Sequence, residues 1–393
     1  MADALLPYGR HLIEPDDVAA VTAVLTGDCL TQGPQVAAFE AALAERVGAR
    51  HAVASASGTS ALHLAMTALG LGEGDVCIVP AITFLSTATA ARMCGAEVVF
   101  ADVDADSGLM GPAQLAEAAA RAGRPVKLAA PVHLGGRMCD MPRLAAEAAR
   151  LGVTLIEDGC HALGSGTPEG GRVGEGRFSA ATAFSFHPVK TIACGEGGMV
   201  TLNDPAMAAR IQRLRNHGVT RDVALMVDPE LSLDTNGERN LWSYEQLELG
   251  YNYRMTDLEA ALGLSQLGKL DRFMAARTIL ADRYDSTLSR QVRPAPGRDA
   301  HTSLHLYSVL IDFEALDVTR QAVMKAMAKA GIGTQTHYIP LYRQPYFVRR
   351  YGELSLTGAE AYYGRTLSLP LFPAMTPADV DRAVRALTTA LGL

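Results

Sequence analysis

The chain carries 393 residues, 49% apolar and 20% charged, with a formal net charge of -7. This length exceeds one ordinary core, so two domains are expected, and the apolar share excludes a disordered chain. The acidic balance, with no run of basic residues, argues against a nucleic-acid partner.

The opening MADALLPYGRHLIEPDD has no basic segment leading into an apolar run. No stretch approaches the ~18 uninterrupted apolar residues of a membrane span, so a cytoplasmic protein without membrane contact is expected. The six cysteines are scattered, with neither CxxC nor zinc-like spacing, and read as reduced thiols with no bound metal.

In chain order, the pattern predicts a helix over Pro34–Val47, a strand over His51–Ser55, a helix over 58–69 and a strand over Val76–Pro80. A helix over 86–95, a strand over Glu97–Ala101, a helix over Pro112–Ala122, a strand over 127–132 and a helix over 141–152 follow. Three more strands are expected at 153–157, 181–186 and Gly198–Leu202. Runs that are apolar throughout, separated by helices, predict a largely parallel sheet covered on both faces. Ligands of such sheets bind beyond the carboxyl ends of the strands, so the residues just after each run are the candidates. Beyond residue 205 a helical pattern runs from 255 through 270 to 288. It is followed by a strand at 305–312, a helix at 320–330, an extended segment at 333–338 and a helix at 376–391. The expected division is an N-terminal arm (1–15), a large domain (16–255), and a smaller C-terminal α+β domain (256–393) with its connecting helix.

Lysine is scarce, at five against thirty arginines. Lys325 and Lys329 share one helix face, Lys269 closes a helical stretch where a cation suits the dipole, and Lys127 opens a strand. Lys190 alone lies in a loop of small residues after an apolar strand, in AFSFHPVKTIACGEGG (183–198). Asp158 ends the strand in VTLIEDGCHALG, where it serves either as a cap for the next helix or as a buried functional carboxylate. A lysine that can form an imine and a carboxylate that keeps a pyridine nitrogen protonated are what pyridoxal phosphate asks of a protein.

A phosphate site is the third requirement. ASASGTSALHLA (54–65) follows the first strand and opens a helix, where Gly58, Thr59 and Ser60 offer N–H groups and hydroxyls to an anion. Ser185 adds another hydroxyl. The loop is neither GxxxxGK[ST] nor GxGxxG, and lacking the latter counts against a nicotinamide-dependent oxidoreductase on the same kind of sheet. Phe84, in PAITFLST past the second strand, is placed either to stack on a cofactor ring or to pack in the core. The glycines after Lys190 suit a backbone that passes close to the cofactor. His187 and Cys194 have no assigned role. A non-catalytic regulator on the same fold would have no need of Lys190, Asp158 and the phosphate loop together.

GTSAL, PAITF, IEDGCHALGS, FSFHPVK followed by GEGG, and GYNYRMTDLEAALGLSQL occur in this order between residues 58 and 267, within a resemblance that covers nearly the full length. On these segments the chain resembles the DegT/DnrJ/EryC1/StrS family of nucleotide-sugar aminotransferases. The resemblance implies the pyridoxal-phosphate-dependent transferase fold type I and a homodimer with shared active sites. It implies that Lys190 holds the cofactor covalently, that Asp158 pairs with its ring nitrogen, and that His161 lies near its O3′ or ring face; the alternative for His161 is a turn cap. Thr59, Ser60 and Ser185 match phosphate ligands, and Asn252 matches an asparagine that reaches the phosphate from the partner subunit. A dehydrating branch resembles these enzymes but has histidine in place of the lysine, so Lys190 argues for transamination.

A narrower resemblance rests on LTQG (30–33), WSYEQLELGYNYRMTD, HLYSVLI, GIGTQTHYIPLY and RTLSLPLFPAM. It points to the branch that moves an amino group from L-glutamate to C4 of UDP-2-acetamido-2,6-dideoxy-β-L-arabino-hexos-4-ulose in the pseudaminic-acid pathway. It implies nucleotide-sugar contacts from Tyr8, Leu30, Thr31, Gln335, His337 and Tyr338, the last three across the dimer. His337 and Tyr338 also read as a packed strand end. Enzymes acting on other UDP-, dTDP- or GDP-linked keto sugars share several of these segments.

Overall fold

The computed structural model describes residues 5–393. Its main sheet contains seven strands in the order β1-β7-β6-β5-β4-β2-β3. These are β1 (His51–Ser55), β2 (Val76–Pro80), β3 (Glu97–Ala101), β4 (Leu128–Ala129), β5 (Thr154–Asp158), β6 (Ala181–Ser185) and β7 (Gly198–Leu202). The pairs from β3 through β2, β4 and β5 to β6 are parallel, and β7 runs antiparallel to both β6 and β1. Every residue of β2 and β7 is buried, as expected of strands covered on both faces.

Helices α1 (Pro15–Leu25), α2 (Pro34–Val47), α3 (Gly58–Ala68), α4 (Leu85–Met93), α5 (Pro112–Ala122), α6 (Met141–Leu151) and α7 (Pro205–Leu214) accompany this sheet. Gly48, Gly123 and Gly152 end α2, α5 and α6 in the left-handed region that glycine tolerates best. The strand expected over 127–132 forms a regular ladder only at Leu128–Ala129. Pro131 has no N–H to extend it, although its carbonyl still accepts from the Asp158 N–H at 2.9 Å.

After α7 come β8 (Val219–Thr220), α8 (Pro229–Ser232) and β9 (Glu245–Gln246), then α9 (Asp257–Leu267) and α10 (Leu270–Thr287). The helical pattern predicted as one run from 255 to 288 therefore breaks at Gly268 and Lys269. Lys269 does not merely face a helix end: its Nζ lies 2.6 Å from Asp16 and 2.8 Å from the fully buried Asp17, locking α1 to this corner. A second, antiparallel sheet is built from β10 (Val292–Pro294), β11 (Tyr307–Ile311) and β12 (Thr366–Leu369). Helices α11 (Arg320–Lys329), α12 (Pro345–Tyr351), α13 (Thr357–Arg365) and α14 (Pro377–Leu391) complete the chain. Tyr284, Val309, Val323, Met327, Leu367 and Leu387 form this sheet's apolar core, which Leu6 joins. Leu6 N–H donates to the Gly331 carbonyl at 2.9 Å and Leu371 N–H to the Tyr8 carbonyl at 3.0 Å, so the segment from Leu6 to Tyr8 is fixed beside the second sheet. Among the described residues no helix is long and apolar enough to cross a membrane.

Candidate active site

A cavity of about 550 Å³ opens beyond the carboxyl ends of β1, β2, β5 and β6, where the strand order predicts a ligand. Asp158, the last residue of β5, faces it and is only 4% exposed. Its Oδ2 accepts the Thr87 hydroxyl at 2.7 Å and its Oδ1 accepts the Cys160 N–H at 3.1 Å. Two donors offset the burial of the carboxylate. No helix follows directly, so Asp158 is not a helix cap.

Lys190 is the one lysine or arginine among the residues lining the cavity. Enclosure by protein pulls its ammonium below the usual lysine range, against the opposing influence of Cys160 and Asp158. Its loop is tied down by the Lys190 N–H to the His187 carbonyl at 2.8 Å and the Cys194 N–H to the Phe186 carbonyl at 2.9 Å. The buried Arg277 of α10 donates more weakly to the carbonyls of Thr191 and Lys190, at 3.4 and 3.5 Å. Cys194 is core: a Cβ on Gly263 of α9 would lie 2.6 Å from its sulfur. His187 is exposed at the cavity mouth.

Gly58, Thr59 and Ser185 all line the cavity, at the N-terminus of α3 and the end of β6. A Cβ on Gly58 would stand 2.6 Å from the Ser185 Cβ, so only glycine leaves the helix N-terminus open here. Ser60 departs from expectation. Its hydroxyl accepts the Ser57 N–H at 2.8 Å and donates to the Ser57 carbonyl at 2.7 Å, which commits it to the cap and leaves it outside the cavity wall. Ser57, unremarked in the sequence, lines the cavity in its place. The glycines after Lys190 also have another reason than cofactor contact. A Cβ on Gly198 would sit 2.1 Å from the Ser57 carbonyl oxygen, because β7 passes directly beneath the turn that opens α3.

On the opposite wall His161 is buried, and its Nδ1 accepts the Gly135 N–H at 3.2 Å. The proton must then sit on Nε2, which points at the Tyr338 hydroxyl 3.2 Å away. His161 thus holds the Gly135 N–H and the Tyr338 side chain rather than capping the turn that follows it. The His305 ring packs 4.6 Å from it, and His337 Nδ1 lies 2.8 Å from the Ser368 hydroxyl. Burial holds His161 and His305 far below the ordinary imidazole range and pulls His337 down to about 3, with the Lys190 charge acting in the same direction. Phe84 is 53% exposed and faces the cavity 6.0 Å from the Tyr338 ring, so it is not a core residue.

Tyr8, Gln335, His337 and Tyr338 line the same cavity as Lys190, within one chain, and His337–Tyr338 is not a packed strand end remote from it. The expectation that the last three reach the site across a dimer does not fit this placement. Leu30, Thr31 and Asn252 lie outside the cavity and are exposed. Asn252 stands between Tyr251 and Tyr253, whose rings stack at 4.9 Å and pack on His63. Thr83, Thr87 and His305 went unnoticed in the sequence. An i, i+4 threonine pair beside Phe84 was the only available signal for the first two.

Placed together, an amine, a buried carboxylate, an open helix N-terminus with hydroxyls and an exposed aromatic ring fit the aldehyde, ring nitrogen, phosphate and ring face of pyridoxal phosphate. The profile of the DegT/DnrJ/EryC1/StrS aminotransferase family matches residues 11–388. The chain is 37% identical over 389 residues to the spore coat polysaccharide biosynthesis protein SpsC of Bacillus subtilis (strain 168), covering 97% of this chain and 96% of that one. It superposes with a TM-score of 0.88, at 27% identity and 99% coverage of both chains, on Helicobacter pylori PseC, an aminotransferase involved in the biosynthesis of pseudaminic acid. A sugar aminotransferase from Streptococcus pneumoniae, Spr1654 in its PMP form, matches with a TM-score of 0.87 at 27% identity, over 98% of this chain and 99% of that one.

Proposed function

The chain belongs to the DegT/DnrJ/EryC1/StrS aminotransferase family, whose members are pyridoxal-phosphate-dependent sugar aminotransferases, and we propose that it aminates C4 of a UDP-linked 4-keto-6-deoxy sugar with L-glutamate as donor. The substrate is UDP-2-acetamido-2,6-dideoxy-β-L-arabino-hexos-4-ulose, on the route to pseudaminic acid. The observation that carries this choice is the full-length likeness to the pseudaminic-acid aminotransferase, together with Tyr8, Gln335, His337 and Tyr338 around the lysine. The higher identity to a spore coat polysaccharide protein favours a second reading, amination of a different nucleotide-linked keto sugar for a surface polysaccharide.

In this reading Lys190 and Asp158 are the catalytic residues. Gly58, Thr59 and Ser185 would hold the phosphate, Asp158 would pair with the ring nitrogen, Phe84 would pack on the ring, and His161 would act near O3′ through Tyr338. Pyridoxal phosphate supplies an aldehyde to carry the amino group and a ring to take up electrons from the carbon being deprotonated. Lys190 Nζ takes the proton from Cα of glutamate and, in the second half-reaction, delivers one to C4 of the sugar. Burial, which lowers its pKa, favours the neutral amine that this requires.

Leu30, Thr31 and Asn252, exposed and away from their own cavity, would serve a second copy in a homodimer with shared sites. Leu241, Trp242 and Leu249, at 89, 77 and 78% exposure, give such a dimer apolar surface to bury. The same reading divides the chain into an arm (1–15), a cofactor domain (16–255) and a small domain (256–393), in a cytoplasmic enzyme. The test is an amination assay with glutamate over a panel of UDP-, dTDP- and GDP-linked keto sugars. Highest kcat/KM on the named UDP sugar is expected; a preference for a dTDP- or GDP-linked sugar would overturn the substrate assignment.

A further inference from the structure

We propose that Thr87, backed by Thr83, is a positioning residue that fixes the Asp158 carboxylate for the cofactor ring; this rests on the assignment of Asp158 made above. Thr87 is fully buried on α4, and its hydroxyl donates to Asp158 Oδ2 at 2.7 Å. Its other acceptors are weaker than a carboxylate: the Phe84 carbonyl at 3.4 Å and the neutral Thr83 hydroxyl at 2.8 Å. With that single proton used, the Thr87 oxygen can only accept in its 2.8 Å contact with the Thr83 hydroxyl. The direction of the chain is therefore fixed: Thr83 donates to Thr87, and Thr87 donates to Asp158.

Three consequences follow from this polarity. Each hydroxyl polarises the next, which strengthens the bond that reaches the carboxylate. The Cys160 N–H holds the other oxygen at 3.1 Å, so the carboxylate is pinned at both oxygens and cannot rotate about its Cβ–Cγ bond without losing a partner. Thr83, a buried residue of the cavity lining, then has no hydroxyl proton left to donate elsewhere. Thr83 and Thr87 flank Phe84, so one turn at the start of α4 both exposes the aromatic ring and orients the carboxylate.

The test compares the holoenzymes of Thr87→Val, Thr87→Ser, Thr83→Val and Asp158→Asn. The isosteric Thr87→Val should lower kcat of the glutamate half-reaction roughly tenfold to a hundredfold, as losing a donor to a charged group does, with KM for glutamate changed less than about twofold. It should also displace the pH midpoint of the bound cofactor's visible absorbance in the same direction as Asp158→Asn. Thr87→Ser should restore both readings. Thr83→Val should show a smaller displacement of the same sign, and it carries the test alone should Thr87→Val not fold. An unchanged absorbance profile in Thr87→Val or Thr83→Val, with Asp158→Asn altered, overturns the positioning role alone. An unchanged profile in Asp158→Asn overturns both this role and the assignment of Asp158.

Discussion

The Tyr338 phenol oxygen accepts the Nε2 proton of His161 at 3.2 Å, an arrangement dictated by the backbone N–H of Gly135 on the other imidazole nitrogen. The phenol therefore keeps its own proton for a ligand in the cavity. Tyr338→Phe should lower kcat/KM for the sugar nucleotide by about tenfold, the worth of one hydrogen bond to a buried acceptor. Steady-state kinetics with the keto sugar varied at saturating glutamate will measure it, and equal kinetics in both proteins would refute the donor role.

Lys190→Ala should abolish covalent capture of pyridoxal phosphate and cut turnover by at least roughly a hundredfold, the smaller end of what a positioned proton carrier contributes. Borohydride reduction followed by peptide mass analysis locates the attachment. Label at any of the other lysines with turnover retained would refute the assignment.

The pH dependence of cofactor capture follows from the sign of the Lys190 shift. Burial lowers its pKa below 10.5. The reactive neutral amine should accumulate as pH rises through that lowered value and level off above it. Asp158 opposes the shift, so Asp158→Asn should move the midpoint lower still. His161, His305 and His337 are already neutral, with His337 at about 3, and should add no inflection near the ordinary imidazole pKa. Stopped-flow mixing of apoenzyme with cofactor across pH reads all three expectations.

Gly58→Ala places a methyl group 2.6 Å from the Ser185 Cβ, at the mouth of the helix N-terminus. Affinity for pyridoxal phosphate should fall by about tenfold or more, since loss of even one charge-assisted hydrogen bond has that size. Affinity for pyridoxal, which lacks the phosphate, should change far less. Parallel losses for both ligands by fluorescence titration would place the phosphate elsewhere.

Away from the cavity, Lys269→Met leaves Asp17 buried without its cation, although Ser265 and Gln266 still donate to it at 2.7 Å each. Breaking a buried pair in this way should cost about 3 kcal/mol, near the low end for such pairs because those two donors remain. Thermal denaturation will read it as a lower Tm, and an unchanged Tm would show that the pair adds nothing.

Lys190, Asp158 and Gly58 were legible because each stands at the end of an apolar run, and a parallel sheet brings such ends together whatever their spacing in the chain. The residues that act through neighbours were not legible. Ser57 and Ser60 look alike in ASASGTS; in the reciprocal cap both oxygens accept a backbone N–H, and only Ser60 also donates to a backbone carbonyl. His305 sits in a stretch read as strand, and its approach to His161 depends on how the second sheet docks. The β12 strand escaped notice because four residues of mixed polarity in RTLSLP carry too little pattern, whereas β11 with five buried positions did not. Periodicity ran through the break between α9 and α10, and although Lys269 reads as a helix-end cation, its pairing with Asp16 and Asp17 of α1 depends on packing that no local pattern carries.

The pairing of Leu6 with Gly331 and of Tyr8 with Leu371 has a practical side for anyone preparing the protein. Tyr8 enters the cavity only two residues after Leu6, so an affinity handle or fusion joined ahead of this segment would pull on a clasp that is part of the cavity wall. Activity measured with the fusion attached and after its removal should differ in KM for the sugar nucleotide before it differs in fold.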